Sequence, residues 1–184
     1  MLMVIVWHYL VSLAHAEPRS LLAYGLASLN LTWAGMDFFF VLSGFLIGGI
    51  LMDNRTAPRY FTAFYARRLC RIVPLYYSML VIFAACLAAG IGTIGVGFAW
   101  LFRDPLPMWT YVTYVQNVPM AIRGDFGPNF TGITWSLAVE EQFYVVLPLM
   151  VRFVRPRALP WVQAILVVSA PMFRVLSMFI FENG

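Results

Sequence analysis

Four runs of this chain are almost without charge: Ala34–Met52, Ile72–Gly97, Trp135–Val151 and Leu159–Phe181. About 20 apolar residues suffice to cross a bilayer as a helix, and hydrocarbon admits only backbone that satisfies its own hydrogen bonds. Met1 to about Ala16, also apolar though short for a span, precedes them as the first run, so that these four are the second to fifth. The first run has neither the basic start nor the small-residue cleavage site of a signal peptide, and reads as a helix missing its first turns. The expected fold is therefore all-α, a polytopic transmembrane bundle of about five spans forming one membrane domain over residues 1–184, without a soluble domain. Composition agrees, with 62% hydrophobic and 11% charged residues, against about 25% charged in soluble domains. Such a surface needs lipid as its solvent.

The few charges are placed at the ends of these runs. The net charge is +4, and all 12 cations are arginine. Arg55, Arg59, Arg67, Arg68 and Arg71 lie in the connection Asp53–Arg71, and Arg152, Arg155 and Arg157 follow Val151. Elsewhere Arg19 stands with Glu17, and Arg103 and Arg123 are balanced by Asp104 and Asp125. The positive-inside rule puts both arginine-rich loops in the cytoplasm. That parity requires that the apolar piece Met108–Val118 not cross, and it is short enough to be interfacial or re-entrant. Basic charge without a soluble basic domain argues for anionic headgroups or ligands and against nucleic acid. Pro74 lies near the start of the third run and Pro148 is expected to kink the fourth. Arg174 in the last run needs a partner or room to snorkel. Asp37, Gly44 and Gly48 recur at helical spacing, where small residues admit a second backbone.

The chemistry is concentrated in few positions. Cys70, in the arginine-rich connection, and Cys86, in an apolar run, make no CxxC or Cys/His cluster, and two histidines seven apart, His8 and His15, make a poor metal site, so neither a structural disulfide nor a metal site is expected. Glu140 and Glu141 stand near the head of the fourth run with Gln142 and Tyr144. Ionisable groups in or near a bilayer cost free energy, which makes the pair a functional candidate; the plain alternative is solvation at the interface. An imidazole with a carboxylate is a general-base arrangement, although a lone helical histidine such as His8 is more often a hydrogen-bonded packing residue. Arginine clusters suit phosphates through the guanidinium fork, although such loops are commonly topology signals alone. Asp37 near a helix start equally suits the positive end of the dipole.

Four motifs in order resemble the membrane-bound acyltransferase 3 family, which O-acylates sugars and other hydroxyl acceptors. They are Val4-Ile-Val-Trp-His8, Gly35-Met-Asp-Phe-Phe-Phe-Val-Leu-Ser-Gly-Phe-Leu-Ile47, Arg67-Arg-Leu-Cys-Arg-Ile-Val-Pro-Leu-Tyr76 and Thr134-Trp-Ser-Leu-Ala-Val-Glu-Glu-Gln-Phe-Tyr144. The resemblance implies transfer of an acyl group, often acetyl, from cytoplasmic acyl-CoA to a hydroxyl of a carbohydrate or cell-envelope acceptor. It implies His8 as catalytic base, with Glu140 or Glu141 orienting the histidine or the substrate. Arg67, Arg68 and Arg71 would bind the donor's phosphates. Asp37, Ser43, Trp135, Ser136, Gln142 and Tyr144 would be supporting residues. Acyl-CoA enters as co-substrate and no bound cofactor is implied; the setting is the bacterial inner membrane.

The family pattern also has an arginine ahead of the histidine, at a position before Met1, and more helices than this chain carries. A chain truncated at both ends is expected on that ground, and a non-catalytic remnant or assembly partner is the second reading. A small transporter is the third, because buried acids and an intramembrane histidine also suit proton relays.

Overall fold

The structure, a computed structural model, describes residues 35–92 and 97–182. His8 lies outside the described residues. Among the described residues all regular structure is helical: α1 (Gly35–Asp53), α2 (Tyr60–Ala88), a 3₁₀ turn (Ala99–Leu101), α3 (Met108–Val112), α4 (Asn117–Arg123), α5 (Asn129–Gly132), α6 (Thr134–Phe153) and α7 (Leu159–Glu182). The all-α expectation holds. The chain divides into two compact units, Met1–Asp53 and Asn54–Gly184.

In the first unit, α1 is apolar nearly all round. Phe38, Val41, Leu42, Phe45 and Leu46 are exposed, while Ile47 and Leu51 are buried. A helix hydrophobic on every side suits lipid or a protein interior. Asp37 lies exposed in its first turn, where the dipole favours a carboxylate. Ser43 sits half-buried one helix face away from solvent-exposed Phe45. At Gly48 an added Cβ would meet nothing within 4 Å, so the close approach expected of this glycine is not made among the described residues.

In the second unit, α2 corrects the sequence reading. The stretch up to Arg71 was expected to be a loop, with the third span beginning at Ile72 or about a turn earlier. Helix instead runs unbroken for 29 residues from Tyr60 through Pro74. Arg67, Arg68, Cys70 and Arg71 are therefore helical, and the helix ends at Ala88 rather than Gly97. Pro74 removes one backbone donor, but the packing of Tyr60, Phe64, Tyr76, Leu80 and Phe83 on either side of it holds the helix. At 1.5 Å per residue α2 reaches about 44 Å, longer than a hydrocarbon core of about 30 Å. Its first turns can thus carry arginines at headgroup depth. Among the described residues α2 is the one helix long and apolar enough to cross a membrane, and Leu159–Phe173 of α7 is a shorter apolar stretch.

The contacts between α2 and α6 run in opposite order along the two helices. The Tyr60 hydroxyl donates to the Pro148 carbonyl (3.1 Å) and the Tyr65 hydroxyl to that of Val145 (3.1 Å). Phe64 meets Tyr144 edge-on at 6.4 Å, and further along Gln116 joins Tyr76 to Thr134. The helices are therefore antiparallel. Arg55 Nη2 donates to the carbonyls of Arg152 (3.2 Å) and Val154 (2.7 Å), and Arg152 Nη1 donates to the Arg55 carbonyl. A cation thus satisfies carbonyls at the C-terminal end of α6, and the two arginine-rich connections meet at one end of this unit.

Residues 98–133, which the sequence shows only as a proline-broken mixture, fold against the other end. Met108–Val118 does not form one helix: α3 has five residues, and Tyr114 after it has φ 56°. The core joins Tyr76, Leu80 and Phe83 of α2 to Phe102, Leu106, Tyr111 and Met120. Phe130 stacks on Phe83 at 5.7 Å and on Phe102 at 5.3 Å. Burying each such side chain stabilises by about 1.5–3 kcal/mol. Several buried hydroxyls are tied in as well. The Tyr76 hydroxyl donates to the Tyr111 carbonyl (2.8 Å), Thr131 Oγ1 to the Tyr111 hydroxyl (3.0 Å), and Thr134 Oγ1 to the Thr131 carbonyl (2.6 Å).

Burial raises the phenol pKa of Tyr111 and of Tyr114 above the ordinary value. A pKa raised by folding means that the native state holds the proton more tightly. The stabilisation is complete below the unfolded tyrosine value of about 10 and is lost as pH rises above it, by up to about 1.4 kcal/mol per pH unit per group. The melting temperature of the detergent-solubilised protein should accordingly be flat from about pH 8 to 9.5 and fall steeply beyond pH 10. A flat profile through pH 11 would contradict this packing.

Candidate active site

Tyr60, Phe64 and Arg68 are four residues apart and share one face of α2. That face brings Arg68 against α6, where Glu140 and Tyr144 are also one turn apart. Arg68 Nη1 lies 3.9 Å from Glu140 Oε1, and the two side chains are 18% and 16% exposed. The Tyr144 hydroxyl donates to the same Glu140 oxygen. The guanidinium carbon of Arg68 sits 3.7 Å from the centroid of the Tyr144 ring and 5.7 Å from that of Phe64. Glu140 is thus matched by a cation and a hydroxyl, and Arg68 by a carboxylate and two aromatic faces.

Glu141 differs. Neighbouring positions on a helix point about 100° apart, so Glu141 cannot share the Arg68 contact. It is half-buried, and its Oε1 is shielded from solvent without a hydrogen-bond partner. Gln142, the next residue, donates from Nε2 to the Tyr114 carbonyl (2.8 Å) and to Asn117 Oδ1 (2.9 Å), while Asn117 Nδ2 donates back to Gln142 Oε1 at 3.3 Å. This reciprocal amide pair pins the α3–α4 turn to α6 beside Glu141.

The other sequence candidates fall in two groups. Arg67 and Arg71, four apart on α2, are exposed, whereas Arg68 is half-buried against α6. Ser136 donates from Oγ to the Ile133 carbonyl (3.1 Å), closing the first turn of α6, and Trp135 packs beside Phe126 at 6.0 Å. Both support the helix start and the cap on it. Gln116, Asn117 and Tyr114 were not foreseen. Gln116 is fully buried and donates from Nε2 to the Tyr76 hydroxyl (3.2 Å) and to Thr134 O (3.0 Å) and Oγ1 (3.1 Å). The polar run Tyr114-Val-Gln-Asn117 inside an apolar, proline-bounded stretch was the available signal. An open groove along α7 is lined, among the described side chains, by Ser169, Pro171, Met172, Phe173, Val175 and Leu176.

The arrangement can hold a carboxylate with an open acceptor position next to a neutralised one, at the junction of a long apolar helix and a polar turn. Comparison with known proteins agrees with the motifs. A family model described as an acyltransferase domain, Acyl_transf_3, matches residues 1–183. The chain is 30% identical over 165 residues to the O-acetyltransferase OatA of Staphylococcus aureus, covering 77% of this chain and 25% of that protein. It is 31% identical over 152 residues to the peptidoglycan O-acetyltransferase OatA of Listeria monocytogenes, covering 76% and 24%. It is 33% identical over 141 residues to the putative peptidoglycan O-acetyltransferase YrhL of Bacillus subtilis, covering 66% and 20%. The chain spans about a quarter or less of the length of these curated relatives. No solved structure matches it. With all four motifs present and the family model matched from residue 1 to residue 183, the chain belongs to the acyltransferase 3 family.

Proposed function

We propose that this chain serves O-acyl transfer, moving an acetyl group from cytoplasmic acyl-CoA to a hydroxyl of a cell-envelope glycan, as part of a multi-pass protein of the bacterial inner membrane. The observation that carries the reading is the unequal state of the two glutamates. Glu140 is matched by Arg68 and Tyr144, whereas Glu141 keeps a buried oxygen without a partner. A carboxylate left open in this way is costly unless something occupies it during function.

In this mechanism His8 takes the proton of the acceptor hydroxyl as the hydroxyl oxygen attacks the thioester carbonyl. Glu141 supplies the negative charge that stabilises the resulting imidazolium. Collapse of the tetrahedral intermediate expels the CoA thiolate and leaves the acetyl ester on the glycan; the thiolate recovers a proton from the imidazolium. Arg67 and Arg71, exposed four apart on α2, suit the phosphates of the donor. Arg68 serves Glu140 instead. The acceptor class follows the names of the relatives, two of which are peptidoglycan O-acetyltransferases by name.

The test is direct transfer. The complete protein in proteoliposomes, given acetyl-CoA labelled in the acetyl group and peptidoglycan glycan fragments, should place label on the glycan that mild alkali releases as acetate. Label that stays on CoA or appears only as free acetate at the rate of protein-free vesicles would refute the assignment.

A further inference from the structure

Two buried polar atoms of complementary kind flank the same turn. The Tyr114 hydroxyl and Glu141 Oε1 are both shielded from solvent, and among the described residues both lack a hydrogen-bond partner. One is a donor, the other an acceptor. They are near enough for the Glu141 charge to act on the Tyr114 phenol, and the Tyr114 carbonyl accepts from Gln142, the residue next to Glu141.

Tyr114 is held with unusual care for a loop residue. Its φ of 56° is in the left-handed region, which costs free energy for a non-glycine residue and recurs at functional sites. Its ring stacks on Tyr76 at 4.4 Å and meets Tyr77 edge-on at 6.1 Å. Tyr76 and Tyr77 are in turn anchored, their hydroxyls donating to the carbonyls of Tyr111 and Val112, each at 2.8 Å. The phenol is raised in pKa by burial first, then by Tyr77 and by the Glu141 charge, so it remains a neutral donor across the physiological range. A rigid platform thus presents one hydroxyl, and no group of the described chain accepts its proton.

We propose that Tyr114 and Glu141 together form a subsite for a second, non-reacting alcohol hydroxyl of the acceptor: the Tyr114 phenol donates to that hydroxyl's oxygen, and that hydroxyl donates to Glu141 Oε1, while the reacting hydroxyl gives its proton to His8. A hydroxyl is both donor and acceptor, and so matches this pair where a carboxylate, a phosphate or an ammonium group would satisfy only one side. A carboxylate group has a second oxygen, which leaves Glu141 able to serve His8 at the same time. The inference rests on the acyl-transfer reading above and makes Tyr114 an acceptor-binding residue, a role the recognised motifs do not give it.

The experiment is Tyr114→Phe in the complete protein, which keeps the ring on Tyr76 and removes only the oxygen. With acetyl-CoA and a soluble peptidoglycan glycan fragment, the acceptor KM should rise about tenfold while kcat and the KM for acetyl-CoA stay within about twofold. The melting temperature without acceptor should equal or exceed that of the wild type, since an unpartnered buried hydroxyl costs stability. An acceptor KM within about twofold of wild type would overturn the subsite. A melting temperature lowered by more than about 5 °C would do so too, because the hydroxyl would then be a structural partner. An active wild type with an unaltered variant removes this inference alone, whereas a wild type that transfers no label removes the proposed function and the subsite with it.

Discussion

Replacing Glu141 by glutamine is expected to lower acyl transfer by about 10²–10⁴-fold, the usual contribution of a positioned acid–base group, while leaving the fold intact. Glutamine keeps the shape of the side chain and removes a partly buried charge that has no cation of its own, so the melting temperature should hold or rise. The neighbouring replacement separates the two glutamates. Glu140→Gln should destabilise, because it leaves Arg68 without its carboxylate, but should reduce turnover much less. Combining Glu141→Gln with His8→Ala should be no worse than the slower single variant, since groups that act as one unit are not additive. Labelled-acetyl transfer in vesicles and thermal unfolding of Glu141→Gln, Glu140→Gln, His8→Ala and the Glu141→Gln/His8→Ala double variant measure these effects. A Glu141→Gln enzyme within about threefold of wild type would remove Glu141 from the mechanism.

Arg68→Ala is expected to destabilise the complete protein by about 1–2 kcal/mol, between the values for exposed and for buried pairs, because the pair is part-exposed and the 3.9 Å contact is long. The loss has two physical parts. Glu140 is left with the Tyr144 hydroxyl alone, and the Tyr144 and Phe64 rings lose the guanidinium that covers them. Removing both charges together is a different perturbation: Arg68→Met with Glu140→Gln leaves no orphaned ion and should recover most of the stability. Thermal unfolding of Arg68→Met, Glu140→Gln and the double variant gives the coupling directly. Independent, additive losses would show that Arg68 and Glu140 do not act as a pair. Because Arg68 is engaged inside the protein, Arg67→Ala and Arg71→Ala should raise the KM for acyl-CoA without this stability loss.

The sequence led to the helical class and the family, and it misplaced both ends of α2. Charge made Asp53–Arg71 look like a loop, since arginine is costly in a span. Yet Tyr60, Phe64 and Arg68 already repeat at helical spacing, and the face they form is what α6 needs. Pro74 pointed the other way, to a start about a turn inside that connection, and the helix begins earlier still, at Tyr60, because packing on both sides of the missing hydrogen bond holds it.

What the sequence determined by itself is what depends on local pattern: apolar runs that need lipid, arginines at their ends, and four motifs long enough to identify a family. Only the tertiary structure decided how the charges are divided. Two adjacent glutamates are chemically equivalent in one dimension, and become unequal once a helix turns them about 100° apart and a second helix offers a cation to just one. The same holds for Tyr114, an ordinary residue of a broken stretch until its hydroxyl is buried beside Glu141 with nothing to receive its proton. Pairing and burial depend on residues distant in the chain, here 72 apart between Arg68 and Glu140, and no local pattern encodes them.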